Sequence, residues 1–229
     1  MKTVGIIGGL GPETTAEFYL RLIAICREDY KLARPPILMW SIPLEYQIEE
    51  ELITLASGEE RYIPYLIDAA KRLEAGGADF IVIPCNSVHI FINQVRASVK
   101  IPVLSIVETT LNVLRQSNIT DVGLLATKTT VDKNLYGQIL SNESIKVHHL
   151  EPSDQKEIGT IINRLVLKEE TEGDRKSLIT MVNNFVRHGI QTVLLACTDL
   201  QLLIPEIEGV NIFDTMEILA RETVREILD

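Results

Sequence analysis

The sequence has few cysteines, no long apolar run and fewer basic than acidic residues. Its three cysteines include no C-x-x-C pair, and an odd number cannot all be paired, so a disulfide scaffold of the secreted type is excluded. Histidine and cysteine form no cluster with the spacing of metal ligands, so we expect no metal site. No apolar run reaches the length of about 18 residues that a membrane span needs.

The charge balance disfavours two further classes of partner. Lysine and arginine number 22 against 32 aspartates and glutamates, which leaves a net charge of −10. Nucleic acids and anionic membrane surfaces both require a basic face, so we expect neither as a partner. The sequence opens on a predicted strand without a charged leader, and 46% of its residues are hydrophobic. We therefore expect a cytoplasmic protein with a sizeable core.

Strand and helix patterns alternate along the chain, which predicts an α/β fold with parallel sheets and helices on both faces. The predicted strands are 3–7, 37–41, 79–84, 102–106, 121–126, 145–149, 191–196 and 210–213. The predicted helices include 47–56, 87–98, 130–141 and 215–228.

Two parts of the sequence echo each other, which indicates an internal repeat. Cys197 follows Cys85 at an offset of 112 residues, and Val122–Ala126 follows Val4–Gly8 at an offset of 118 residues. We therefore predict two pseudo-symmetric doubly wound domains with a cleft between them. The predicted domains are 1–106, joined by 213–229, and 107–212.

Cys85 and Cys197 each end a predicted strand, where α/β sheets bind their ligands. A buried structural role is the alternative for either thiol, but their equivalent positions favour a cleft with one thiol on each wall. A helix beginning after each thiol would lower its pKa and favour the thiolate. Cys26 lies within a predicted helix and lacks this context, so we interpret it as structural.

The loops after the first strand of each half are candidate anion sites. Gly8–Pro12 precedes a helix, so Leu10 and Gly11 belong either to a backbone anion cradle or to a simple tight turn. Thr14 stands where a dinucleotide fingerprint needs glycine, so a carboxylate suits this loop better than a nucleotide. In the second half Thr127 could bind a carboxylate or cap the following helix.

Together these motifs resemble the aspartate/glutamate racemase superfamily, in particular its aspartate racemase branch. The motifs that carry the resemblance are Gly8-Gly9-Leu10-Gly11-Pro12, Pro84-Cys85-Asn86-Ser87-Val88-His89, Ala126-Thr127 and Ala196-Cys197-Thr198-Asp199. An acidic residue such as Asp199 is usual at its position in the aspartate racemase branch, whereas the glutamate racemase branch usually has histidine there.

The resemblance implies amino-acid racemisation without a cofactor, with aspartate as the leading substrate. One thiolate would remove the α-proton while the opposite thiol delivers a proton, because inversion needs acid and base on opposite faces of the α-carbon. The resemblance further implies that the substrate carboxylate is held by polar residues of the motifs. These residues are Asn86, Ser87, Thr127 and Thr198. We expect a homodimer that binds only a small amino-acid substrate.

Three features leave the substrate and some residue roles open. Some aspartate racemases carry an arginine in the loop 41–50 that receives the side-chain carboxylate, but here that loop has no basic residue. Lys168 is the nearest candidate to replace it, and Glu45 and Glu49 would repel a carboxylate if they point inward. Tyr46 and Gln47 could instead contact a neutral polar group. Asp199 could polarise Cys197 or an ammonium group, or cap a helix.

His89 could orient a polar group or be a half-buried helix residue. The open alternatives to an aspartate racemase are another isomerase of the superfamily, of glutamate, hydantoin or maleate type, and a catalytically silent protein that binds a small carboxylate.

Overall fold

The structure is a computed structural model that describes residues 1–45, 47–49, 51 and 57–229. Most of the predicted helix 47–56, together with Tyr46 and Glu50 of the loop 41–50, lies outside the described residues. The strands are β1 (Val4–Gly8), β2 (Ile37–Ser41), β3 (Phe80–Val82), β4 (Asp121–Ala126), β5 (Lys146–His148), β6 (Thr192–Ala196) and β7 (Asn211–Asp214). The described α-helices are Pro12–Glu28, Tyr62–Ala75, Ile92–Ser98, Ile106–Gln116, Lys128–Asp132, Gly137–Ser141, Pro152–Leu167, Glu172–Arg187 and Thr215–Leu228.

The strands form two parallel sheets, with the orders β2-β1-β3 and β5-β4-β6-β7. The central strands β1 and β6 are buried along their whole length, because helices cover both faces of each sheet. β1, β2 and β3 correspond in order to β4, β5 and β6, as the sequence echo predicts. The predicted α/β fold with parallel sheets is therefore confirmed.

Two predicted elements differ from the observed ones. The segment 102–106 contributes only a single bridge, from Val103 to Ile81, because the proline at its start has no N–H to donate to a ladder. The predicted helix 130–141 is two short helices, and Asn134 between them has a left-handed φ of 52°.

One apolar cluster spans both sheets and the last helix. Its buried members include Val4, Ile6, Phe80, Val122, Leu124, Leu194, Leu219 and Val224. Helix Thr215–Leu228 packs against helices Pro12–Glu28 and Ile106–Gln116. These contacts agree with the prediction that the last helix packs against the first half of the chain. The division into domains at residues 106 and 212 stays a prediction. Within the described ranges, no helix combines the length and the apolar character that crossing a membrane would require.

Candidate active site

The two thiols follow equivalent strands and line one cavity. Cys85 comes shortly after β3, and Cys197 comes directly after β6, so each thiol lies at the carboxyl edge of its own sheet. The two segments are in direct contact, because the Thr198 hydroxyl donates a hydrogen bond of 3.3 Å to the carbonyl oxygen of Pro84. Cys85 is partly buried and Cys197 is buried, and neither forms a disulfide.

The cavity is small, and most of the residues that line it have polar side chains. The residues of its lining that the sequence identified are Leu10, Cys85, Asn86, Ser87, Thr127, Cys197, Thr198 and Asp199. The remaining lining residues are Glu49, Tyr62, Ile162 and Val166. Its volume of about 30 Å³ has room for only one or two waters, so the cavity must widen before an amino acid can enter.

Two residues proposed from the sequence lie beside the cavity rather than in its lining. Gly11 has a left-handed φ of 80°, and its N–H donates a hydrogen bond of 3.1 Å to Oε1 of Glu49. The glycine loop therefore holds a carboxylate, but it is the protein's own. Lys168 is exposed at the end of helix Pro152–Leu167. Burial raises the pKa of Asp199, and the positive charge of Lys168 is close enough to oppose that rise.

A cluster of hydroxyls lies on one side of the site. The Ser87 and Thr127 hydroxyl oxygens are 2.8 Å apart, and Thr127 donates to the Thr130 hydroxyl at 3.1 Å. The Thr127 oxygen also accepts the Thr130 N–H, as the N-cap of helix Lys128–Asp132. Thr127 therefore caps a helix and also lines the cavity, while its binding of a carboxylate stays a prediction.

The Asn86 amide joins the site to the second sheet and the last helix. Its Oδ1 accepts a hydrogen bond from the Tyr136 hydroxyl, and its Nδ2 donates at 3.0 Å to the Thr215 hydroxyl. The Thr215 hydroxyl in turn donates to the carbonyl oxygen of Leu195 in β6 at 2.7 Å. The amide is thus fixed in orientation, and its second N–H can serve a substrate.

His89 is a positioning residue rather than a carrier of protons. Its Nδ1–H donates to the carbonyl oxygen of Cys85 at 2.7 Å, and its Nε2 accepts the Ile106 N–H at 3.1 Å. Burial lowers the pKa of His89 to about 4, so the ring is neutral near pH 7. With both nitrogens engaged, His89 ties the backbone at Cys85 to the start of helix Ile106–Gln116.

The environment of Cys85 raises the pKa of its thiol instead of lowering it. Burial raises this pKa to about 12, the Val88 N–H opposes the rise, and the charge of Asp199 adds to it. Only a 3-10 turn, Ser87–Phe91, directly follows the thiol, so there is no long helix to offset burial. The expected lowering of the thiol pKa is therefore wrong for Cys85.

Cys197 is paired with a carboxyl group. Its thiol donates to Oδ2 of Asp199 at 3.6 Å, while Oδ1 of Asp199 accepts a short hydrogen bond from the Thr14 hydroxyl. Burial and then the charge of Asp199 raise the pKa of Cys197 well above its usual value. Asp199 precedes the 3-10 turn Leu200–Leu202 but its side chain does not cap it. Of the two interpretations of Asp199, contact with the thiol is the one observed.

Glu49 and Tyr62 are the polar lining residues whose inward position the sequence did not establish. Glu49 is only 9% exposed, and burial, followed by the charge of Asp199, raises its pKa to about 7. The Tyr62 hydroxyl is buried and forms no hydrogen bond with the part of the chain that the structure describes, and the residue is 1% exposed. Tyr62 continues the apolar face that includes Leu66 and Ala69, so its pattern indicates only a core position.

Cys26 takes no part in the site, and the described residues form no metal-binding cluster. Cys26 is a free thiol in the apolar cluster that spans the two sheets, as its sequence context predicts. In the ranges 1–45, 47–49, 51 and 57–229, no group of three or more histidine, cysteine, aspartate or glutamate side chains is arranged to hold a metal ion. The absence of a cofactor stays a prediction.

Comparison with known proteins agrees with this arrangement. The family model of the Asp/Glu/Hydantoin racemases matches residues 7–223. The broad specificity amino-acid racemase RacX of Bacillus subtilis (strain 168) is 25% identical over 226 residues, which cover 96% of each chain. An aspartate racemase homologue from Pyrococcus horikoshii OT3 superposes with a TM-score of 0.82 at 29% identity, covering 100% of both chains. The Picrophilus torridus aspartate racemase has a TM-score of 0.82 at 25% identity, covering 99% of this chain and 94% of its own.

The match to the family model extends over nearly the whole chain and includes both thiol segments. This chain therefore belongs to the Asp/Glu/Hydantoin racemase family.

Proposed function

We propose that this chain is a cofactor-independent amino-acid racemase that uses Cys85 and Cys197 as its acid and base. The observation that carries the proposal is that two thiols from equivalent strand ends line one closed cavity. Racemisation needs a proton acceptor on one face of the α-carbon and a donor on the other, and two thiols from different sheets can supply them.

The polar groups around the thiols suit an amino acid bound by its backbone. The substrate carboxylate is held by the Asn86 amide and the hydroxyls of Ser87 and Thr127, which stabilise the carbanion formed when the α-proton leaves. The substrate ammonium group lies beside Asp199. Its positive charge lowers the pKa of both thiols and so opposes the rise that burial and the Asp199 carboxylate cause.

The protons balance over one turnover. Asp199 accepts the proton of Cys197, with which it is already hydrogen-bonded, and the Cys197 thiolate then removes the α-proton. The carbanion takes the proton of the Cys85 thiol on its other face, which leaves Cys85 as the thiolate. At that point Asp199 is protonated and Cys85 is a thiolate, and the reverse reaction begins from that state with the roles of the two sulfurs exchanged. After the product leaves, Asp199 releases its proton to water and Cys85 takes one up from water, which restores the starting state for the next forward turnover.

Aspartate is one proposed substrate among several. Two solved relatives are an aspartate racemase and an aspartate racemase homologue, while the curated relative is named for broad specificity. The inward position of Glu49 and the exposed position of Lys168 weigh against a strong preference for aspartate over neutral amino acids. A homodimer and a cytoplasmic location stay predictions.

Exchange of the α-proton in heavy water tests the mechanism. Racemisation of L- and D-aspartate and of alanine is followed by chiral chromatography, and loss of the α-proton by NMR. We expect Cys85→Ala and Cys197→Ala each to abolish racemisation while retaining exchange with opposite enantiomers, because each keeps the base on one face. Cys26→Ala is the matched control and should racemise like the wild type.

Undiminished racemisation in either active-site variant would reject the two-thiol mechanism. If the wild type exchanged the α-proton of no amino acid, the alternative of a silent protein that binds small carboxylates would hold instead.

A further inference from the structure

One buried hydroxyl in the active-site cavity has no hydrogen-bond partner among the described residues. The Tyr62 hydroxyl is enclosed, and no described residue hydrogen-bonds to it. Burial is the main cause that raises the pKa of Tyr62, and the charges of Cys85 and Glu49 add to the rise, so the hydroxyl is close to both. A polar group buried in this way is costly unless a ligand completes its hydrogen bonds.

Glu49 lines the same cavity as Tyr62. It lies in the segment where some relatives are expected to carry an arginine, and the Gly11 N–H fixes its carboxyl group in place. Leu10, Ile162 and Val166 are the apolar lining residues, so Glu49 and Tyr62 are the polar groups outside the segments that carry the thiols and the hydroxyl cluster. A substrate whose carboxylate contacts the hydroxyl cluster can direct its side chain toward these two residues.

The charge of the cavity sets a limit on that side chain. Glu49 and Asp199 both carry carboxyl groups, and no lysine or arginine lines the cavity among the described residues. The residues that the structure does not describe include no lysine or arginine in the sequence either. A substrate side-chain carboxylate would therefore be desolvated beside like charges, and among the described residues the one cation shown to act on them, Lys168, is exposed and lies outside the lining.

We propose that Glu49 and Tyr62 form the side-chain receptor, and that it selects amino acids whose side chains donate a hydrogen bond and carry no negative charge. This inference rests on the proposed racemase activity. An amide such as that of asparagine can donate N–H to the Glu49 carboxyl and accept from the Tyr62 hydroxyl. Aspartate has nearly the same shape but offers Glu49 no donor when it is ionised.

The test compares asparagine with aspartate, which differ in charge rather than in size. We measure kcat/KM for α-proton exchange in heavy water with L-asparagine, L-aspartate and L-alanine, using the full-length wild type, Glu49→Gln and Tyr62→Phe. For the wild type we expect asparagine to exceed aspartate by at least about tenfold. This comparison uses only the wild type, so it tests the proposed side-chain receptor even if a substitution impairs folding.

The variants should show how much the Glu49 carboxyl and the Tyr62 hydroxyl each contribute to substrate selection. Glu49→Gln keeps an acceptor for Gly11 but removes the charge, so the ratio of asparagine to aspartate should fall by about tenfold, mainly because aspartate improves. Tyr62→Phe should lower asparagine relative to alanine by about three- to tenfold, the usual effect of one neutral hydrogen bond. The exposed Glu45→Gln and the partly buried Tyr65→Phe, outside the cavity lining, are the matched controls and should leave both ratios unchanged.

Two outcomes overturn the inference in different ways. Exchange of alanine together with a preference for aspartate over asparagine would reject the receptor and leave the racemase intact. Absence of exchange with every amino acid, alanine included, would reject the racemase and the receptor with it.

Discussion

Two buried tyrosines in this protein should respond in opposite directions when their hydroxyls are removed. The Tyr62 hydroxyl has no hydrogen-bond partner within the described ranges, whereas the Tyr136 hydroxyl donates to Oδ1 of Asn86. Both residues are almost completely enclosed. The substitutions Tyr62→Phe and Tyr136→Phe therefore remove the same atom from similar surroundings, and only the hydrogen bonding differs.

The expected size follows from the cost of an unpaired buried polar group, which is about 1–3 kcal/mol. Tyr62→Phe removes such a group and should raise the free energy of unfolding by that amount. Tyr136→Phe creates one at Oδ1 of Asn86 and should lower the free energy of unfolding by a similar amount. For a chain of this length each kcal/mol shifts Tm by about 2–4 °C, so the two variants should differ in Tm by roughly 4–24 °C.

Differential scanning calorimetry without substrate, at one pH and protein concentration, measures both shifts. Urea titration checks that the m-value is unchanged, so that the shifts report on the folded state. A lower Tm for Tyr62→Phe would show that its hydroxyl has a partner in solution, and the argument for a waiting ligand site would then fail.

Three further predictions concern the same site. Glu49 has a folded pKa of about 7 against an ordinary value of 4.5, so ionising it destabilises the folded protein as the pH rises through that window. The free energy of unfolding of Glu49→Gln should therefore rise relative to that of the wild type by up to about 3 kcal/mol between pH 4.5 and 7. Urea unfolding at each pH measures this difference, and a difference that stays constant with pH would contradict the burial of this charge. His89→Leu should lose about 2–4 kcal/mol of stability, because the Cys85 carbonyl and the Ile106 N–H lose their partner, and equal urea midpoints for variant and wild type would contradict this role. Dialysis against a chelator should leave racemisation unchanged, and loss of activity that a metal restores would overturn the cofactor-independent mechanism.

The sequence predicted which strand ends carry the thiols, but not which other side chains line the cavity or how burial changes the thiol pKa values. Strand patterns and small polar residues placed Cys85 and Cys197 at equivalent strand ends, because buried parallel strands have a strong apolar signature. The inward turn of Glu49 depends on a contact with Gly11, 38 residues away, which no local pattern records. The sign of the thiol pKa shifts was missed for a related reason, since depth of burial is a property of the assembled protein.

The hydrogen bond between Asn86 and Thr215 has a consequence for the protein during its synthesis. The two residues are 129 positions apart, and a ribosome adds about 5–20 residues per second. For roughly ten seconds, the nascent chain therefore contains Cys85 and Asn86 without the partner that fixes the amide. The hydrogen bonds that orient Asn86 are therefore completed only when the last helix docks, so the thiol segment of the first sheet reaches its final geometry at the end of synthesis.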